Sequence, residues 1–421
     1  MRVTKKIQAG ALQLVLFVGA IIAVVLLCFV LLAYSNQLFH KKTDLTVALI
    51  QAAHRGLQTS LQDAFDPNAT SQTPGENALG IENKVALRYW GLFQLRKAWA
   101  KKGAVQFERW AVVGHTHPEL PALYLKDNQF PLVVAGNSRI TGTAYLPERG
   151  VKMGNIYGHS YQGSQLIIGK TGKSDARLPD LDNALTAQLQ QLTGPLFDPQ
   201  GEVITFKPGI ALKNSFGAPT KIIKGATLIL DQASLKGNVM VWASKQIVVP
   251  STAQLNDIVL LAPNITIESG VYGNFQAVAQ KTIAVGKGSR LTYPSLLAVQ
   301  GTPKSSTTAP TWIPPITLDT DAEVRGILIY QDQGTDKRYV PHIRIATNAR
   351  VYGEVFCTQN LELKGAVYGN VTTWGFLAME NGNNYQNHLY NGTIDSTVLP
   401  QEYGGLCYNG NHMNQIIQWL Y

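Results

Sequence analysis

Residues 11–34 read ALQLVLFVGAIIAVVLLCFVLLAY, 24 positions without a charge. A helix rises about 1.5 Å per residue and needs roughly 20 residues to cross the hydrocarbon core of a bilayer. The stretch is therefore long enough to span. A cleaved secretory signal has a shorter apolar run, about 7–15 residues, followed by a small-x-small cleavage site. No convincing site of that kind follows Leu32. The expectation is a retained, single-pass anchor in a lipid bilayer. Arg2, Lys5 and Lys6 precede it closely, and Lys41 and Lys42 follow at a greater distance. The positive-inside tendency then puts a short tail (1–10) in the cytoplasm and the bulk of the chain in the periplasm or outside the cell.

Apolar spacing continues beyond the anchor. Leu38, Leu45, Leu49, Ala52, Ala53, Leu57 and Leu61 recur near helical intervals. The pattern stops at Asp66-Pro67-Asn68, because proline disfavours helix at the residue before it. One helix is expected to run from about Ala11 to Phe65, with residues 35–66 as its amphipathic continuation. That half packs either on its own outer domain or on neighbouring copies.

The basic leader ending at Gly10, the apolar stretch beginning at Ala11 and the amphipathic continuation together resemble the N-terminus of type IV pilin-like proteins. That resemblance covers about the first 60 residues. It implies cleavage between Gly10 and Ala11, and partners that are other pilin-like subunits or copies of the same chain. The sequence departs from the main pattern at Val15, where most such proteins have glutamate.

The rest is poor in helix signals. Glycine occurs 38 times and methionine 5 times, a balance that favours turns and strands. A polar linker occupies 67–83, and alternating apolar residues over 84–131 predict a small β subdomain. From 132 to 379 an apolar-x-Gly-x-apolar unit recurs, centred on Gly142, Gly237, Gly273, Gly326, Gly353 and Gly369, with a weaker copy at Gly158. Apolar residues alternating along a short strand point to one side. Glycine permits a bend or close backbone approach. Each unit buries too little alone, so units must stack. The expected fold is mainly β: a transmembrane and stalk helix, then an extracytoplasmic solenoid of β-helix type. In pattern this stretch resembles bactofilin-like, adhesin and polysaccharide-lyase right-handed β-helices. An antiparallel sandwich is the alternative. Residues 178–193 predict a short helical insertion and 302–315 an exposed loop. The Asn- and Tyr-rich tail, 380–421, is expected to cap the open end.

Function is less legible. The net charge of +9 comes from scattered Lys and Arg, which fits a surface facing lipid or cell-envelope glycan better than nucleic acid. Asp319 and Asp321 are the best local candidates for a catalytic carboxylate pair, and Arg325 follows. Paired carboxylates divide acid and base roles in glycan cleavage. Alternate acidic residues also describe the wet face of a strand. His115 and His117 lie two apart without a third ligand, so no metal site and no cofactor is expected. Outside the cytoplasm Cys357 and Cys407 either pair or stay as two core thiols. Three readings remain: a structural or adhesive membrane-anchored protein, a glycan-binding module that uses Tyr272, Tyr352 and Tyr368, and a polysaccharide-active enzyme.

Overall fold

The computed structural model describes residues 10–62, 66, 70–72, 80–116, 120–301, 312–332, 339–410 and 413–420. The chain is mainly β, 50% strand against 17% helix. Nearly all of the helix is one element, α1 (Gly10–Ser60), of 51 residues. It is long and apolar enough to cross a membrane. It ends at Ser60, a few residues before the expected stop at Phe65. Pro67 and Asn68 of the Asp-Pro-Asn stop and more than half of the polar linker fall outside the described residues, while Thr70–Gln72 of the linker pairs antiparallel with residues 84–86.

The last quarter of α1 lies on a small antiparallel sheet. Strands Glu82–Trp90, Phe93–Lys102 and Val105–His115 form a meander. Its free edge is closed by the C-terminal strand Asn414–Leu420, which pairs antiparallel with Val105–His115. The tail was expected to cap the far end of the large domain. Instead its last strand returns nearly to the start of the chain. Adjacent Ile416 and Ile417 face the two packed sides of this sheet, and a register shift between Ile416 and Gln418 keeps Leu420 on the side of Ile417, contacts that only tertiary pairing can supply.

The larger body is built from parallel pairs in three columns. The first runs Leu235, Leu255, Gly273, Leu291, Val324, Val351, Val367 and Ile394. The second runs Val241, Leu260, Ala277, Leu297, Leu328, Val355 and Val371. The third runs Leu228, Ile247, Ile265, Ile283, Ile316, Ile343 and Leu361. Apart from Gly273, these side chains all belong to one continuous buried cluster. Strands with such near-continuous apolar runs are those buried by neighbours in parallel pairing.

Stacking order departs from chain order. Ile394 pairs with Ile140, Val371 with Leu123 and Leu389 with Val134. Residues 123–141 therefore stack beyond the last C-terminal strands, not before the first. The connection back runs through α2 (Asn183–Thr193), capped by Asp182, whose side chain accepts from the backbone N–H groups of Ala184 and Leu185. This is the predicted helical insertion. Its Leu185, Leu189 and Leu192 are buried against the sheet and the columns.

The repeat glycines are not all equivalent. Gly326, Gly353 and Gly369 stand in register with one another, with φ of 144°, 146° and 147°. A Cβ on Gly353 would run into the carbonyl oxygen of Gly326, and one on Gly369 into that of Gly353. Only glycine fits such a column. Gly273 is offset from it: it pairs with Leu255 and Leu291, so it occupies the position that Val324 takes two layers on. Gly142 and Gly237 also have positive φ. The weaker unit at Gly158 belongs to no column; it is the turn of an antiparallel two-strand hairpin.

Candidate functional site

The most unusual arrangement in the molecule is the way α1 is divided. From Gly10 to Asp44 every position is exposed. From Leu49 onward one stripe is buried: Leu49, Ala52, Ala53, Gly56, Leu57 and Ser60. This three-and-four spacing forms a single helical face. It packs on Val85, Leu87, Ala98, Ala100 and Ala111 of the meander. Small residues let the backbones approach. A Cβ on Gly56 would collide with the Asn83 amide, whose Nδ2 donates to the Ala52 carbonyl at 2.7 Å. Leu49, Ala52, Ala53 and Leu57 were read as a continuing amphipathic face, and here they meet the chain's own domain.

The other face of the meander covers the outside of the second column. Trp90, Phe93, Leu95 and Trp110 pack on Val259, Leu261, Val278, Leu296, Ile327 and Phe356. The Gln276 side chain closes the 90–93 turn, accepting from the Leu92 N–H and donating to the Trp90 carbonyl, both at 2.8 Å. Burying an amide is tolerable because it is bonded at both ends.

A polar joint ties the same two bodies together. Glu354 is fully buried, and its Oε1 accepts from the Leu406 N–H at 2.9 Å. Tyr293 nearby donates to the Gly404 carbonyl at 2.9 Å. A side chain at Gly405 would overlap Oε1 of Glu354. Burial pushes the Glu354 carboxyl up to about 8, against the opposing effects of the Leu406 N–H and the Tyr408 hydroxyl. The segment held in this way leads into the strand that closes the meander. No local sequence signal marks Glu354; it reads as one more polar residue between apolar ones.

The residues singled out from sequence fall in several places. Gly10 and Ala11 are exposed residues at the start of α1. Asp319 and Asp321 lie in the turn between Ile316–Leu318 and Glu323–Gln331, not along one strand face. Asp319 caps its own turn through Thr320, and Asp321 has φ of 60°. Arg325 pairs with Glu323 at 2.7 Å instead of with either aspartate. Cys357 and Cys407 are free thiols, so the disulfide is not formed. Cys357 is inside the large apolar cluster, whereas Cys407 lines a small cavity with Tyr89, Gln94 and His115. Burial pushes both thiols up to about 12. His117 lies outside the described residues, and the His115 ring is within 3.0 Å of the Gln94 amide. Among the described residues no group of three His, Cys, Asp or Glu is placed to hold a metal. Tyr352 and Tyr368 stack on each other with ring centres 4.8 Å apart, and Arg325 lies over Tyr352. Tyr272 is separately exposed. No protein-family model, curated protein or solved structure matches the chain.

Proposed function

We propose that this protein is a membrane-anchored, extracytoplasmic structural subunit, and that α1 is an assembly element as in the pilin-like proteins its N-terminus resembles. The division of α1 carries this reading. A helix that only tethers needs no buried stripe, and one that only packs needs no bare apolar half. Here a fully exposed apolar segment is rigidly continuous with a stripe seated on a folded sheet. Such a helix can sit in lipid before assembly and then lie against the equivalent helices of neighbouring copies. Both settings satisfy its backbone internally and cover its apolar surface.

The larger body is read as a β-solenoid. Three parallel columns, each fed by every successive layer, support this. So does the glycine column at one corner. A solenoid of this kind is a stiff spacer with a long lateral surface. It would stand outside the cytoplasm, carried by the meander, with residues 1–10 on the inner side of the membrane.

The test is the amino terminus of the full-length protein recovered from membranes. Mass spectrometry should find a chain beginning at Ala11. A chain beginning at Met1 in assembled material would contradict the assembly reading.

A further inference from the structure

One surface away from α1 and the meander presents aromatic and amide groups beside a small buried cluster of Ala135, Ile156, Ala378 and Tyr390, against which the partly buried Tyr385 packs. The loop at 127–131, the hairpin at 155–160 and the segment 381–391 converge on it. The Tyr157 and Tyr385 rings lie 6.3 Å apart, and Tyr385 and the His388 ring 5.6 Å apart. Asn383 bonds the Tyr157 hydroxyl through its Nδ2. Asn387 donates to the Phe130 carbonyl at 3.3 Å. Tyr157 is 48% exposed and Phe130 is 62% exposed.

The backbone there is held in an uncommon state. Nine described non-glycine residues have positive φ, and five of them are here: Gln129, Tyr157, Asn381, Asn387 and Asn391. Asparagine tolerates that conformation, but for a bulky residue it is a true outlier. Tyr157 is the telling case. It occupies the first position of a two-residue hairpin turn, with φ of 50°, and Gly158 follows with φ of 82°. That turn strongly prefers Asn-Gly. A tyrosine there gains nothing from burial. Strain of this sort is retained where the side chain serves a purpose other than stability.

We propose that Tyr157, Tyr385, His388 and the Asn383–Asn387 segment form a binding face for a neutral saccharide. The chemistry selects that ligand class. Rigid aromatic rings offer flat apolar area at low entropic cost, suited to the C–H face of a pyranose. Each asparagine amide has two donors and an acceptor and spends only part of that capacity within the protein. The remainder matches hydroxyls, which both donate and accept. Among the described residues the face carries no ion pair, and Lys364 with Glu380 and Arg344 with Glu362 are internally matched. Burial, joined by the Lys152 charge, pushes the His388 imidazole down toward its neutral form. The surface follows Phe376, which pairs with Leu361 of the third column and accepts from the Asn387 N–H, whereas the helix-bearing sheet covers the outside of the second, so α1 and a ligand do not compete for it. It is also not the Tyr272, Tyr352 and Tyr368 set that the sequence suggested.

The test uses the full chain in lipid nanodiscs on an array of neutral hexose and N-acetylhexosamine oligosaccharides beside sialylated ones. Binding to neutral glycans is expected. Tyr157→Asn should weaken it by about tenfold or more, the loss expected of an aromatic anchor. The same substitution puts the preferred residue into the turn, so its melting temperature should be equal to or above that of the parent. Tyr385→Ser provides a second variant should the first fold poorly, and it should weaken binding similarly. Tyr352→Ala should leave binding unchanged. Three results would overturn the proposal. One is silence on the array. Another is binding only to charged glycans. The third is binding that survives both Tyr157→Asn and Tyr385→Ser. Attachment to cells that protease abolishes, with no array signal, would assign the face to a protein partner and would also overturn it.

Discussion

The meander under α1 and the columns beside it are both sheets, yet they are specified in different ways. In the meander, neighbours in sequence are neighbours in space. Two tight turns join its first three strands, and alternation sends one set of side chains to α1 and the other to the columns. In the columns, partners are 16 to 33 residues apart: Val351 pairs with Val367, and Leu291 with Val324. Local pairing tolerates ordinary residues. Distant pairing at a fixed corner requires identical backbone geometry layer after layer, and the glycines record that requirement.

Substitution in the two sheets should therefore have unequal consequences. The largest effect is expected at Gly353→Ala. Its Cβ would meet backbone, which cannot swing aside, and the φ of 146° is strained for alanine. A loss of about 3–5 kcal/mol is expected in chemical denaturation, at the upper end for single substitutions. A loss below about 1 kcal/mol, the level of an ordinary substitution, would mean that the column is not rigid.

Leu57→Ala addresses the other sheet. Leu57 is fully buried between α1 and the meander. Truncating such a leucine costs about 2–5 kcal/mol. Here the loss should be local. Hydrogen exchange should rise over Leu49–Ser60 and the facing strands and remain slow in the columns. Equal loosening of both bodies would show that they unfold as one unit.

The smallest effect concerns the joint between them. The Glu354 carboxyl lies above its ordinary value of 4.5, at about 8. Between those values the folded chain holds a proton that the unfolded chain has released. Stability should therefore be highest below pH 4.5 as far as this group is concerned, fall as pH rises from 4.5 to 8, and flatten above that. Glu354→Gln keeps the acceptor for the Leu406 N–H and removes the charge. Its melting temperature should lose that part of the slope, between pH 4.5 and 8.

Much of this architecture was legible in the residues. The long apolar helix, its amphipathic continuation, α2 and the three glycines of the column follow from periodicity and composition. What escaped was order and distance. Nothing local tells that Leu123 lies beyond Val371, or that Gln415 and Trp419 return to Gly114 and Ala111. The tail was taken for a cap because aromatic residues cover edges in either role. Glu354 and Tyr157 escaped for a related reason. The first is exceptional only through its burial, and the second only through its backbone conformation. Residues 383–390, NNYQNHLY between Asn381-Gly382 and Asn391-Gly392, carried the one available signal: aromatic and amide residues together.

The central claim is that α1 spans the membrane and carries the whole β body on the outer side. A single cysteine at Tyr272, an exposed position on the columns, tests it directly, because Cys357 and Cys407 are buried and Cys28 lies in the apolar stretch. In right-side-out membrane vesicles an impermeant maleimide should label Tyr272→Cys without lysis and leave the parent chain unlabelled. Labelling that appears only after the vesicles are opened would contradict the account.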